Sequence, residues 1–531
     1  MTGGNLRMSI VPRKSGGYIS AGDMHRIEAR LGKWLWLLIV ANAMCILVFR
    51  GVITLDGSMH VLHAAVLMDA IGDRTFSASG LQYDLGGIDI GLLDPIAMLL
   101  LLLFTPELVE ACLAAIALLM FGLGALAYVR AYGGVVPLLA VWVLPFSYSI
   151  ILLLGFLPFV LAVGLCLWLA ARWVKVPAIT WRIALCGMVA VCLCLVTHRA
   201  ALLMLALLIG MHEVLLFVGD RAAFRSRWAF MSRRVAVLLL CCLVSGVLTS
   251  VVWMFFFSPV FEPVGPRAPL NDLMRLRSLL LFDEYAERGY LIGLAVLMFG
   301  SIALAVRECL CIRTPWVQHA PLLVGALLIL ASLLIRTPWA YLHYFPERAQ
   351  CVGLLLLMLW CALHVRGSKL SVVAVIGIIA LHTVRTVYIE RRMAHYTDER
   401  AAVGEVAQHL EPGTLVATFQ RNDDWLLLHQ FAYLSVRHKG IVLSRRDKIW
   451  IERVSKPAQA LDRAIKREPE DPYWLQRCAD DPECPGIDRV VVLCNARVDS
   501  AEATTHLSAE LQGAYARIFE SEYATIWKPG Q

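Results

Sequence analysis

Charge is what this sequence has least of. Asp, Glu, Lys and Arg make up 17% of its 531 residues, against 59% hydrophobic residues and a mean hydropathy of +0.68. That balance excludes a soluble globular domain, in which apolar runs are shorter and fewer. No A-x-A cleavage site follows the polar, basic first 33 residues (Arg7, Arg13, Lys14, Arg26, Arg30, Lys33), so the first apolar run reads as an uncleaved span rather than a signal peptide. No internal repeat or low-complexity segment stands out, which argues against the repeated halves of a transporter. The net charge of +7 is spread over short loops between apolar runs and is no nucleic-acid footprint. Nor do the fifteen cysteines form a disulfide framework. Cys45, Cys166, Cys192, Cys194, Cys241 and Cys242 lie inside apolar runs, where Cys acts as a small hydrophobe. Cys478 and Cys484 are the exception: across ADDPE they close a loop disulfide in an oxidising compartment, or remain two free thiols.

What is present is a series of apolar runs, each long enough to cross a hydrocarbon core of roughly 30 Å as a helix. They lie near 34–53, 107–128, 133–150, 151–171, 183–197, 199–218, 235–257, 289–306, 319–335, 349–365 and 370–388. The run at 92–104 is short for a crossing and reads as a re-entrant or interfacial helix. Loops at 172–182, 220–234, 307–318 and 366–369 are basic and belong in the cytoplasm, whereas 54–91 carries Asp56, Asp69, Asp73, Asp84 and Asp89 against Arg74 and belongs outside. Eleven spans satisfy these assignments, with the N-terminus inside and the C-terminus outside. After residue 395 the composition becomes ordinary. A helix over 398–410 ends at Glu411-Pro412-Gly413, and strands are expected at TLVATF, at KGIVLS (439–444) and at RVVVLCN (489–495), with helices near 456–467 and 500–512. The expected architecture is therefore an α-helical polytopic membrane protein with a C-terminal soluble α/β domain. Its parts are a cytoplasmic segment (1–33), a transmembrane domain (34–395) with the outer loop 54–91, and an extracytoplasmic domain (396–531).

Three polar clusters fall on the outer side of this topology. In TLDGSMHVLH, Asp56, His60 and His63 recur at i, i+4 and i+7, one stripe of a helix. A carboxylate there can serve as general base toward an acceptor hydroxyl or amine, with His holding it. It can equally be a helix cap ending a span. Asp with two His also suits a divalent metal ion, although nothing in the spacing fixes a geometry. RTPWAYLHYFPERAQ (336–350) places Arg336, His343, Glu347 and Arg348 at one mouth. Its aromatics fit interface anchoring, and its guanidinium groups fit phosphate or diphosphate oxygens. Arg348 paired simply with Glu347 is the plainer alternative. VTHRA puts His198 and Arg199 on a tight outer turn, as turn formers or as part of the same site.

Taken together, these segments resemble the glycosyltransferase C superfamily, polytopic enzymes that use polyprenyl-phosphate-linked sugars. Asp56 matches that family's first-loop acid, Asp56-x-x-x-His60 is similar to the start of its loop, and Glu347-Arg348 resembles its late acid and base pair. The stretch at 148–170 and the THRA turn are similar to bacterial members. A single acid at 56, where many members carry a pair, is a departure, and it weakens a metal.

The resemblance implies an inverting glycosyltransferase of the bacterial inner membrane. Its donor would be a polyprenyl-phosphate sugar and its acceptor a glycan, lipid or protein. Asp56 would be the base, with Glu347 and His60 beside it. Arg348 and Arg336 would hold the phosphate, with His63, His198, Arg199 and His343 lining the substrate. The alternatives are a flippase for lipid-linked saccharides and a non-catalytic assembly subunit.

Overall fold

The computed structural model describes residues 21–48, 53–72, 77–78, 81–82, 91–176, 180–219, 269–312, 314–335, 344–365, 369–420, 425–427, 429–443, 460, 473–493, 511–512, 514–521 and 524–530. Among these, seven helices are long and apolar enough to cross a membrane: Pro106–Gly133, Leu157–Val174, Ala200–Gly219, Glu284–Cys311, Trp316–Leu334, Phe345–His364 and Leu370–Gln408. A further apolar helix, Ala21–Val48, precedes them. The expected span at 235–257 and most of the expected helices at 456–467 and 500–512 lie outside the described residues.

Apolar length makes these segments helical, and small residues let them approach. Where Pro106–Gly133 crosses Leu157–Val174, a Cβ on Gly124 would overlap the carbonyl of Gly164, so only glycine permits the contact. Gly325 and Gly353 make the equivalent crossing farther along, where a Cβ on Gly325 would stand 2.7 Å from the Gly353 oxygen. The 133–150 run differs from its expectation as a single span. Gly134 (φ 76), Pro137 and Pro145 punctuate it, and it folds as short turns at Leu138–Trp142, Val143–Ser147 and Ile150–Leu153. Those turns are almost wholly buried, with Trp142, Val143, Phe146 and Tyr148 shut from solvent. The 92–104 run forms the helix Leu93–Leu101, whose nine residues reach only about 14 Å.

Helix Gly57–Ile71 in the first loop joins two layers. Val61 and Ala64 face the bundle core, while Met59, Leu62 and Val66 pack with Val403, Phe431 and Ile526 of the C-terminal domain. The same loop forms a small hairpin, β1 (Ser77–Ala78) with β2 (Leu81–Gln82), and Leu81 enters the core around Leu415 and Trp527.

The C-terminal sheet has β3 (Leu415–Gln420), β4 (Ile441–Leu443), β5 (Arg489–Leu493), β6 (Tyr515–Glu520) and β7 (Ala524–Pro529) in the order β4-β3-β5-β7-β6. β3 pairs parallel with β4 and β5, and β7 runs antiparallel to β5 and β6. The three strands expected from sequence are β3, β4 and β5. Cys478 and Cys484 are joined as a disulfide, their Cα atoms 5.3 Å apart. The helix expected at 398–410 is the end of a single 40-residue helix, Lys369–Gln408, which carries the bundle directly into this domain.

Candidate active site

Asp56 precedes the first residue of helix Gly57–Ile71, and its carboxylate makes no capping bond there. Its position is fixed by backbone instead. Leu55 N–H donates to Leu153 O at 2.8 Å and Asp56 N–H to Leu154 O at 3.3 Å. The next residue on that strap, Gly155, has φ 76, and a Cβ on it would stand 2.5 Å from the Asp56 nitrogen. One helical turn on, His60 Nε2–H donates to Gly155 O at 3.2 Å. Residues 153–155 are thus stitched to 55–60, and the Asp56 side chain, 33% exposed, is left open to the cleft. It faces His429 Nε2 at 4.0 Å, and Ser58 Oγ holds the carbonyl of that histidine at 2.8 Å.

Arg348 arrives from the first turn of Phe345–His364, a helix entered through Tyr344 in the left-handed region (φ 54). Its guanidinium lies 3.9 Å from the Phe156 ring centroid and 5.3 Å from that of Phe159. Nη1 stands 3.2 Å from His198 Nε2, and His198 Nδ1 accepts from Ala200 N–H at 3.2 Å. A neutral imidazole that accepts at Nδ1 carries its hydrogen on Nε2. Arg348 Nη1–H donates to Nε2 only in the other tautomer, so a neutral His198 accepts from one of these two donors, Arg348 or Ala200. The carboxylates of Asp56 and Glu347 both act electrostatically on Arg348, so acid and cation share one site.

Behind Asp56 sits a fully buried carboxylate, Glu110, in the second turn of Pro106–Gly133. Its Oε1 accepts from both the N–H and the Oγ1 of Thr54 at 2.8 Å, while Tyr433 OH donates to Oε2 and Arg400 Nη2 lies 3.9 Å away.

His60 and His63 touch edge to face, their ring centroids 6.3 Å apart, as one stripe requires. Burial lowers the His60 pKa against the smaller opposing effect of its bond to Gly155. Burial, then the neighbouring His60, lowers His63 to about 3. Although His63 is half-exposed as a residue, its Nε2 is closed off from solvent, and both rings are neutral near pH 7. A neutral, anchored His60 positions the Gly155 turn rather than moving protons. For a metal ion, the histidines combine with Asp94 rather than Asp56: one ligand atom from each of His60, His63 and Asp94 lies within 4.8 Å of the others.

Of the residues singled out from sequence, Asp56, His60, His198, Glu347 and Arg348 converge around the Leu153–Phe159 segment. Arg199 opens helix Arg199–Gly219, but its side chain lies outside what is described, as do Arg336 and His343 altogether. Sequence reading missed Glu110, Tyr433, Arg400, Asp94 and His429. Glu110 had a signal: a carboxylate just inside an apolar span is expensive and marks a site.

An α-helical polytopic bundle, a helix in its first loop that packs against both layers and a C-terminal α/β domain together make up the fold. A crystal structure of a polytopic membrane protein shares this arrangement over nearly its whole length. ArnT from Cupriavidus metallidurans in the apo state matches with a TM-score of 0.53 at 13% identity, over 96% of this chain and 98% of that one. The same protein bound to undecaprenyl phosphate gives 0.49 at 12%, over the same shares. No family model and no curated protein sequence matches the chain.

Proposed function

We propose that this chain is a membrane glycosyltransferase that moves a sugar from a polyprenyl-phosphate carrier to an acceptor on the outer face of a bacterial inner membrane. The observation that carries the reading is one shared site. The partly exposed Asp56 carboxylate lies there with the Arg348 guanidinium, which stacks on Phe156 and meets His198 Nε2 at 3.2 Å. In the reaction, an acceptor hydroxyl or amine attacks the anomeric carbon and the bond from that carbon to the phosphate oxygen breaks. Asp56 takes the acceptor proton while Arg348 and His198 neutralise the charge growing on the leaving phosphate. Attack opposite the leaving group inverts the anomeric centre. The neighbouring His429 is placed to orient Asp56, so the C-terminal domain completes the site as well as covering it.

The Cys478–Cys484 disulfide supports an oxidising compartment for that domain, and hence the outer face. If a divalent ion is used, His60, His63 and Asp94 would hold it. The test is transfer of radiolabelled sugar from polyprenyl-phosphate donors by purified protein in nanodiscs. Transfer, or slow donor hydrolysis, supports the reading. Saturable donor binding with no turnover on any acceptor overturns it in favour of a flippase.

A further inference from the structure

A second cluster of ligand-type side chains gathers at the opposite end of Phe345–His364, about 24 Å along that helix from Arg348. Cys309 comes from the last turn of Glu284–Cys311, His319 from the short turn Trp316–His319, and His364 is the final residue of its helix. The His319 and His364 rings stack at 4.9 Å with 25° between their planes, and Trp360 flanks both. We propose that Cys309, His319 and His364, each offering one ligand atom within 4.8 Å of the others, form a zinc-class metal site that ties the ends of three helices together.

The donor set decides the ion. One thiolate and two imidazoles suit a borderline-soft cation such as Zn2+ and suit Mg2+ or Ca2+ poorly, since those prefer oxygen. His364 is already oriented as metal-bound histidines are. Its Nδ1–H donates to Trp360 O at 2.9 Å, which fixes the lone pair on Nε2. His319 now takes Trp360 Nε1–H at 3.2 Å and meets Thr314 Oγ1 at 3.1 Å. One of these long neutral bonds must yield, a small cost beside thiolate and imidazole coordination. Three protein ligands leave a fourth position of a tetrahedral site for water. The plainer alternative is three polar residues that merely pack at a helix end.

Two measurements on the full-length protein in detergent separate these readings. Chelator-stripped protein is titrated with Co2+ and then Zn2+. The proposal expects one equivalent of Co2+ giving the visible bands of tetrahedral coordination and a thiolate charge-transfer band, both erased by Zn2+. Cys309→Ser should remove the thiolate band, and His364→Gln should weaken binding at least tenfold. His63→Asn, which changes the other donor set, should leave the thiolate band intact. Absence of that band, or its survival in Cys309→Ser, overturns the proposal. Because either variant could fail to fold, alkylation of Cys309 is also followed by mass spectrometry in the wild-type protein. Protection by one equivalent of Zn2+ supports the site, and equal labelling with and without Zn2+ overturns it.

Discussion

Tyr433 of the C-terminal domain donates its phenol hydrogen to Glu110, a fully buried carboxylate in a membrane helix 323 residues earlier in the chain. The other oxygen of that carboxylate holds the backbone and hydroxyl of Thr54, two residues before Asp56. A neighbouring contact repeats the link at the rim, where Arg437 grips Glu107 through Nε at 3.0 Å and Nη2 at 2.7 Å. The acid proposed as base thus sits on a loop braced from below by the bundle and from the side by the soluble domain.

Removing Glu110 should therefore cost stability as well as geometry. Glu110→Ala strands the Tyr433 hydroxyl, the Thr54 donors and the Arg400 cation, and breaking such a buried pair costs about 3–5 kcal/mol. Tyr433→Phe removes one charge-assisted hydrogen bond and should cost about 1.5–3 kcal/mol. Thermal unfolding in detergent checks both. Equal, near-zero shifts would mean that the contact does not hold the domains together.

Gly155→Ala should act locally. The new methyl meets the Asp56 nitrogen in a backbone conformation that L residues avoid, so residues 55–57 must shift. The expected outcome is a folded protein with transfer reduced at least about tenfold, since small misplacements of a catalytic group are costly. Unchanged transfer would show that the 153–155 strap does not position Asp56.

Arg348→Lys keeps the charge but loses the planar fork and the stack on Phe156. Affinity for polyprenyl phosphate should fall about tenfold, with Arg348→Ala weaker still. Equal binding by wild type and both variants would remove Arg348 from the phosphate site.

His429→Gln tests whether the soluble domain takes part. Its side chain faces Asp56 while its carbonyl is held by Ser58, so the substitution should leave the melting temperature nearly unchanged and lower transfer by about tenfold or more. An unaltered rate would reduce the domain to a cover.

Much of the bundle was legible in the sequence because apolar length is a local signal. The same holds for β3, β4 and β5, which are short apolar runs between turn residues. β6 and β7 were not legible: YARIFE and ATIWKP carry charge and depend on pairing with each other and with β5. The broken course of 138–153 was hidden by uniform hydrophobicity, since nearly every side chain there is buried whichever way it turns. Asp56, His198 and Arg348 were legible as polar residues beside the ends of apolar runs. The roles of Glu110 and His429 were not, because the Glu110–Tyr433 and Asp56–His429 contacts span 323 and 373 residues and leave no periodicity to read.

Acid sensitivity follows from His63. Its folded pKa of about 3 lies below the unfolded value near 6.5, so the unfolded chain binds the proton first. The contribution is complete above pH 6.5 and is lost as pH falls toward 3, by at most about 1.4 kcal/mol per pH unit. His63→Asn should flatten the fall in melting temperature between pH 6.5 and 4.5, and an identical slope would contradict the buried neutral ring.

The most direct test of the central claim is sugar transfer in nanodiscs by Asp56→Asn beside wild type, with melting temperature and donor binding measured on the same samples. If Asp56 is the base, the variant folds and binds donor normally while transfer falls by about 10²–10⁴-fold. Wild-type activity surviving in Asp56→Asn would contradict the account.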